Sequence, residues 1–380
     1  MKSNRFLFII LSLLLFWACD NGHEEDKDVK RRTLIVYMAM DDAGSLSSMM
    51  SRIKDIWINS WDAAGYNGNL LIYADNGTTS ALFNVIRKKG KNVAEVVQQY
   101  DGVNSADPTF FNNLLTEIAN EWTAESYGLV VSSHATGWLP KGRMISPATV
   151  FKDESSNAAE MDIAAFADAI PYKMDFIIFD ACLMGGVEVA YELKDKTDYL
   201  LFSPAEVISN GMIFPTTFAH LMKDAPDLEA VGREFYDYYN SLSGSWRSAT
   251  VSLIKTSELD SLADISRNIL YGADVENEVN LSSIQSYGYG GNLLYFDFGD
   301  MIKKFAPQSY DEFIEILDAA VIYKANTPGY FSSGSAYSEI NHYSGLSVYI
   351  PQACFPILNM AHENMKWTRF INNSSVVSSN

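Results

Sequence analysis

Along the chain, short apolar runs alternate with longer stretches in which apolar positions recur every three or four residues. Residues 33–40 (Thr-Leu-Ile-Val-Tyr-Met-Ala-Met) are β-branched and aromatic with apolar side chains on both faces, the pattern of a covered central strand. Similar runs occupy 70–74, 129–133, 176–179, 199–202, 250–254 and 346–350. Between them, 46–62, 109–122, 161–169 and 185–193 carry helical periodicity. Further helices are predicted over 218–222, 228–242, 257–272 and 311–323. This alternation predicts an α/β fold, a mostly parallel sheet with helices on both faces. Residues after about 215 hold fewer strand ends with reactive side chains and read as a smaller C-terminal region packed on the sheet. No internal repeat of 20–50 residues is present.

In sheets of this kind reactive groups gather beyond the carboxyl ends of the strands. The run 129–133 leads into His134, within Ser132-Ser-His-Ala-Thr-Gly-Trp138. The run 176–179 leads into Asp180-Ala-Cys-Leu-Met-Gly185, and 199–202 into Ser203-Pro-Ala-Glu206. An imidazole and a thiol are thus predicted at one sheet edge. The thiolate is the nucleophilic form of cysteine, and a nearby imidazole or helix N-terminus favours it. The backbone N–H groups of Ala135 and Cys182 are candidate donors to an oxyanion formed when an acyl carbon is attacked. Spacing alone leaves other readings open. Cys182 also fits an inert buried residue or a disulfide with Cys354, and His134 a structural hydrogen-bonding group.

Composition narrows the choice. Lys and Arg number 28 against 47 Asp and Glu, a net charge of −19, which repels a phosphate backbone and argues against nucleic-acid binding. Three cysteines exclude a disulfide scaffold, and none of the five histidines forms a His-x-x-x-His pair. No metal site and no cofactor are therefore expected. The amino terminus stands apart: Lys2 and Arg5 precede an apolar run over 6–18, about 20 Å long as a helix and too short for a core of about 30 Å. Residues 1–18 read as a secretory signal. Cys19 resembles the lipidated cysteine of bacterial lipoproteins, although Phe16 and Trp17 are bulkier than that pattern prefers. Residues 19–32 read as an acidic tether resembling the surface-export signal of some Bacteroidota lipoproteins. The expected localisation is export, with a membrane anchor at Cys19 on the outer membrane or cell surface. The body then divides into a catalytic domain over 33–215, a C-terminal region over 216–370 and a flexible tail over 371–380.

The two motifs around His134 and Cys182 closely resemble those of the clostripain family of cysteine peptidases. Val36-Tyr-Met-Ala-Met-Asp41 and the segment 199–214 resemble two further family signatures in the same order. The resemblance implies a caspase-like fold, Cys182 as nucleophile and His134 as catalytic imidazole. It makes Asp180 the acid at the floor of the pocket for the residue before the cut bond. A buried carboxylate there suits an incoming Arg or Lys; its alternative role is to anchor local backbone N–H groups. Asp41 and Asp42 add negative potential at that edge or cap the next helix. Family members usually carry Gly after the histidine, where this chain has Ala135; a requirement for positive φ would cost about 1–2 kcal/mol there. Some members cut their own chain between the two catalytic motifs. Residues 139–156 are the matching segment, with Lys141, Arg143 and Lys152 as processing candidates. Clostripain brings calcium with it, yet no Asp-x-Asp-x-Asp-Gly loop is present, so calcium stays undecided. The predicted activity is an endopeptidase acting on protein or peptide substrates after Arg or Lys. The alternative is a catalytically silent surface lipoprotein of the same fold that binds peptide or glycan.

Overall fold

A computed structural model describes residues 29–40, 45–62, 65–141, 151–153, 159–288, 292–332 and 335–373. In chain order they form β1 (Lys30–Ala39), α1 (Ser45–Ser60), β2 (Gly68–Asp75), β3 (Ser80–Lys88), β4 (Lys91–Tyr100), α2 (Pro108–Glu121) and β5 (Ala124–Ser133). The short pair β6 (Phe151–Asp153) and β7 (Ala159–Met161) follows, then α3 (Ile163–Ala169), β8 (Met174–Asp180), α4 (Val187–Leu193) and β9 (Thr197–Phe202). Next come α5 (Thr217–Leu221), α6 (Leu228–Asn240), β10 (Thr250–Lys255), α7 (Leu259–Leu270), α8 (Val275–Glu278), β11 (Phe296–Asp297) and α9 (Phe298–Phe305). The chain ends with α10 (Tyr310–Ala320), β12 (Val321–Asn326), β13 (Gly329–Ser332), β14 (Ser335–Glu339), β15 (Ser347–Val348), α11 (Pro356–His362) and α12 (Lys366–Ile371).

Nine strands make the main sheet, in the order β12-β10-β9-β8-β5-β1-β2-β3-β4. The five central strands, β9 through β2, run parallel. Antiparallel strands extend the sheet on both sides. The period-2 geometry of a strand sorts alternate residues onto opposite faces. Ile35, Tyr37, Leu129, Val131, Ile177 and Phe179 enter one core, shared with α2, α3, α4 and α7. Leu34, Val36, Val130, Phe176 and Ile178 enter the other, shared with Met50, Ile53 and Trp57 of α1 and Phe235 of α6. Both faces being buried is why these strands read as unbroken apolar runs. The entry to α2 shows local sequence fixing a boundary. Asp107 caps it, accepting from the Thr109 and Phe110 N–H groups at 2.7 and 2.9 Å, and Pro108 supplies the preset first turn.

Two expectations are corrected. The run 346–350 is not a strand of the main sheet: its β15 pairs with β11 and bridges to Gly186. A short buried apolar run does not carry the identity of its partner strand. The helix expected over 311–323 stops at Ala320, and Val321-Ile-Tyr323 begins β12, as β-branched and aromatic residues favour. The main sheet continues past residue 215, since β10 and β12 belong to it.

At the amino-terminal edge of the sheet, the buried Arg32 ties β1 to its surroundings. It donates to the Leu221 and Lys223 carbonyls at 2.9 and 2.7 Å and to Asp175 at 3.0 Å. The opposite edge, where the parallel strands end, holds the candidate site residues.

Candidate active site

Strands β5 and β8 are parallel neighbours with Ser132 facing Asp180. His134 and Cys182 each lie two residues beyond that pair, so both chains leave the sheet at the same level of one edge. Neighbouring strands are about 4.8 Å apart. The two loops are also tied to each other. Gly137 adopts φ +66°, and a Cβ there would lie 2.5 Å from the Leu183 carbonyl oxygen. Tyr295 donates its hydroxyl to the Thr136 carbonyl at 2.6 Å, and the Trp138 ring packs on that of Tyr349. On the cysteine side, the Leu183 and Gly185 N–H groups donate to the Ala205 and Ser203 carbonyls at 3.0 and 2.8 Å. A Cβ on Gly185 would meet Pro204 N at 2.5 Å, which only glycine avoids.

Backbone strain falls on an unexpected residue. Among the described non-glycine residues only Lys89 and Leu183 have positive φ, so Ala135 has none and its Cβ brings no such cost. Leu183, next to Cys182, stands at φ +61° instead, in the sparsely populated region where strain is stored at functional sites. Ala135 is buried, and among the described backbone hydrogen bonds neither its N–H nor that of Cys182 has a carbonyl acceptor.

Cys182 is half-buried and its sulfur is held by one residue from both sides. It accepts from the Val207 N–H at 3.3 Å and donates to the Val207 carbonyl at 3.6 Å. Burial pushes the thiol up to about 12, opposed by the Val207 N–H and reinforced by the negative charges of Glu206 and Asp180. The thiolate is therefore disfavoured in this arrangement. The helix expected to stabilise it begins only at Val187, beyond a turn at 182–183 and a bridge at Gly186, and so does not start at the sulfur. His134 is half-buried, with its carbonyl accepting from the Ser133 hydroxyl at 3.0 Å.

Asp180, at the end of β8, has both carboxylate oxygens engaged. Oδ1 accepts from the Met212 N–H at 2.7 Å and Oδ2 from the Ser132 hydroxyl at 3.1 Å. Gly211, at φ +74°, backs directly against it: a Cβ there would lie 2.8 Å from Oδ1. Burial raises the Asp180 carboxyl, while the Met212 and Ser132 bonds and the Arg52 charge pull it down. The anchoring role considered from sequence is thus present.

Several participants escaped the sequence reading. Val207, Gly211 and Met212 act through main-chain atoms, and Arg52 reaches in from α1, with no signal in the residue pattern beyond their place in or near a recognised segment. Of the processing candidates, Lys141 is exposed at a turn and Lys152 lies in β6. Arg143, Asp41, Asp42, Cys19 and the leader 1–18 lie outside the described residues. Cys182 and Cys354 are both free, so the disulfide alternative is overturned. Among the described residues no group of three or more His, Cys, Asp or Glu is arranged to hold a metal ion, and no helix is long and apolar enough to cross a membrane.

Comparison with known proteins bears on this arrangement. The clostripain family (peptidase family C11) matches residues 36–339. No curated protein matches the chain. An inactive zymogen C11 protease from Parabacteroides distasonis is 31% identical over 91% of this chain and 99% of its own, with a TM-score of 0.80. A secreted C11 cysteine protease from Bacteroides thetaiotaomicron, in complex with an irreversible peptide inhibitor, is 27% identical over 90% and 98%, also at 0.80. A clostripain from the same organism, bound to the peptide inhibitor BTN-VLTK-AOMK, is 30% identical over 58% and 99%, at 0.52.

Proposed function

Because the chain belongs to the clostripain family of cysteine peptidases, we propose that it is an endopeptidase cutting after Arg or Lys through a Cys182–His134 dyad. The observation that carries this is the pairing of Ser132 with Asp180, which sends imidazole and thiol out of one sheet edge beside a buried carboxylate. In the proposed reaction His134 takes the proton of Cys182, and the sulfur attacks the substrate carbonyl. The Ala135 and Cys182 N–H groups receive the oxyanion. The amine leaves with the proton from His134, and water, deprotonated by the same ring, frees the acyl group and restores the thiol. Asp180 attracts the cationic side chain before the cut bond. The lysine that ends the VLTK peptide of the B. thetaiotaomicron inhibitor agrees with such a preference.

The Val207 contacts belong to a resting state in this proposal, one in which the thiol is held protonated. A cut within 139–156, after Lys141, Arg143 or Lys152, is the proposed release. The leader 1–18 and a lipid on Cys19 are proposed to carry the enzyme out of the cytoplasm and hold it at a membrane. The catalytically silent binder remains the second reading, and the raised thiol at Cys182 is what favours it.

Hydrolysis of fluorogenic peptides ending in Arg, Lys or Asp, by wild type and Cys182→Ala, tests the proposal. Cleavage after Arg and Lys that disappears in Cys182→Ala is the expected result. Equal rates from both proteins remove Cys182 from the mechanism, and better cleavage after Asp removes Asp180 as the selectivity group.

A further inference from the structure

Asp180 is covered by a single turn of chain. The Gly211 N–H donates to the Ile208 carbonyl at 2.8 Å, closing that turn, and Tyr239 donates its hydroxyl to the Gly211 carbonyl at 3.1 Å. Gly211 and Met212 touch the carboxylate directly. One residue earlier, the Asn210 carbonyl accepts a hydrogen bond from Arg52 Nη2 at 2.8 Å. Arg52 stands on α1, on the face of the sheet to which Asp180 points, and its side chain is exposed. The groups that hydrogen-bond to Asp180 are a hydroxyl and a main-chain N–H, both neutral.

We propose that Arg52 is a specificity-determining residue, a cation supplied by the chain itself that shares the field of Asp180 with the cation of the substrate and limits the preference for charged over neutral residues. The inference rests on the reading that Asp180 receives the substrate cation. The charge of Arg52 acts on both Asp180 and Tyr239, which line the same turn. A second guanidinium or ammonium entering there meets a carboxylate already partly compensated and a like charge within the same site. Both effects weaken selection for Arg and Lys against neutral residues of the same shape. Arg52 does not touch the reacting atoms, so the prediction concerns selectivity and not the chemical step.

The test is the ratio of kcat/KM for peptides ending in Arg and in citrulline, which is neutral and nearly isosteric, measured for wild type, Arg52→Met and Arg52→Lys. Thermal unfolding of each variant checks that it is folded. In Arg52→Met the Arg-to-citrulline ratio should rise about tenfold, the order expected for removing one competing charge near a protein surface. In Arg52→Lys it should stay within about twofold of wild type, because the charge is kept. If Arg52 only held the Asn210 turn, its loss would lower both rates together. An unchanged or falling ratio in Arg52→Met therefore overturns the inference. A wild type that prefers Arg while Arg52→Met does so equally defeats this inference alone. A wild type without any preference for Arg over citrulline defeats the underlying reading of Asp180 and this inference with it.

Discussion

The thiol of Cys182 offers a measurement in which two opposing effects can be weighed. With the thiol pushed up to about 12 from an ordinary value of 9.0, the thiolate fraction near pH 8 falls about a thousandfold. A more basic thiolate is also a better nucleophile, and a Brønsted slope of roughly 0.45 over three units returns about twentyfold. The net expectation is alkylation by iodoacetamide about fiftyfold slower than for an ordinary cysteine, the protonation effect winning. The rate should climb close to tenfold per pH unit up to about pH 11 with no plateau below it. The assay is timed alkylation of intact protein followed by peptide mass spectrometry, which reads Cys182 and the exposed Cys354 separately. Folded protein that has been cut within 139–156 should show a Cys182 profile with its plateau moved to lower pH, if the cut relieves the burial that raises the thiol. A plateau below pH 8 in uncut protein, or Cys182 reacting faster than Cys354 there, would refute the argument that burial, with the charges of Glu206 and Asp180, keeps the thiol protonated.

Three further outcomes follow from the geometry. Gly137→Ala places a Cβ 2.5 Å from the Leu183 carbonyl at φ +66°. It should lower the denaturant midpoint by an amount equivalent to about 1–2 kcal/mol and reduce kcat more than tenfold by moving the two loops apart; wild-type kcat counts against the coupling of these loops. Arg32→Leu strips partners from the Leu221 and Lys223 carbonyls and from Asp175, and should cost about 3 kcal/mol in urea unfolding, whereas a loss under about 1 kcal/mol would show that water replaces those bonds. For Asp180 the folded carboxyl lies above its ordinary value of 3.8, so the folded chain binds the proton more tightly than the unfolded one. That contribution is fully present below the unfolded value and is lost as pH rises through the folded one. Asp180→Asn should therefore gain stability relative to wild type as pH rises from 4 through the folded titration, read by thermal unfolding. A difference between the two proteins that does not vary with pH would refute this sign.

The central sheet was legible because burial on both faces leaves an unbroken apolar signature, as in β1, β5 and β8. Strands β3 and β4 were not, since β4 is largely exposed and its sequence Lys-Asn-Val-Ala-Glu-Val-Val-Gln-Gln-Tyr mixes polar and apolar residues without a covered face. The candidate residues His134, Asp180 and Cys182 could be placed at one edge for a different reason: they stand where apolar runs stop, and the parallel order of the strands brings those stops together. What remained hidden is delivered by main-chain atoms. The Val207 N–H and carbonyl that grip Cys182 exist at every residue, so no residue type announces them.

Asp180 shows how far side-chain identity alone can be pushed. Its sequence position allows either a pocket for a cation or an anchor for local donors, and the Met212 and Ser132 bonds establish the anchor. An ionised carboxylate offers about four lone-pair sites, of which these two donors use one on each oxygen. Under the proposed specificity, the remaining pair would face a guanidinium or ammonium without either bond being broken. The anchored donors also hold the carboxylate in one orientation and favour its charged form against the desolvation that raises it. The two roles reinforce each other: the bonds that make Asp180 look structural are what would keep a buried acid charged and aimed for a basic side chain. Ser132→Ala separates them experimentally, because removing one donor should weaken Arg over citrulline selection while leaving the Met212 bond and the fold in place. Unchanged selection in that variant would mean that the Ser132 hydroxyl contributes packing and nothing to the field of the acid.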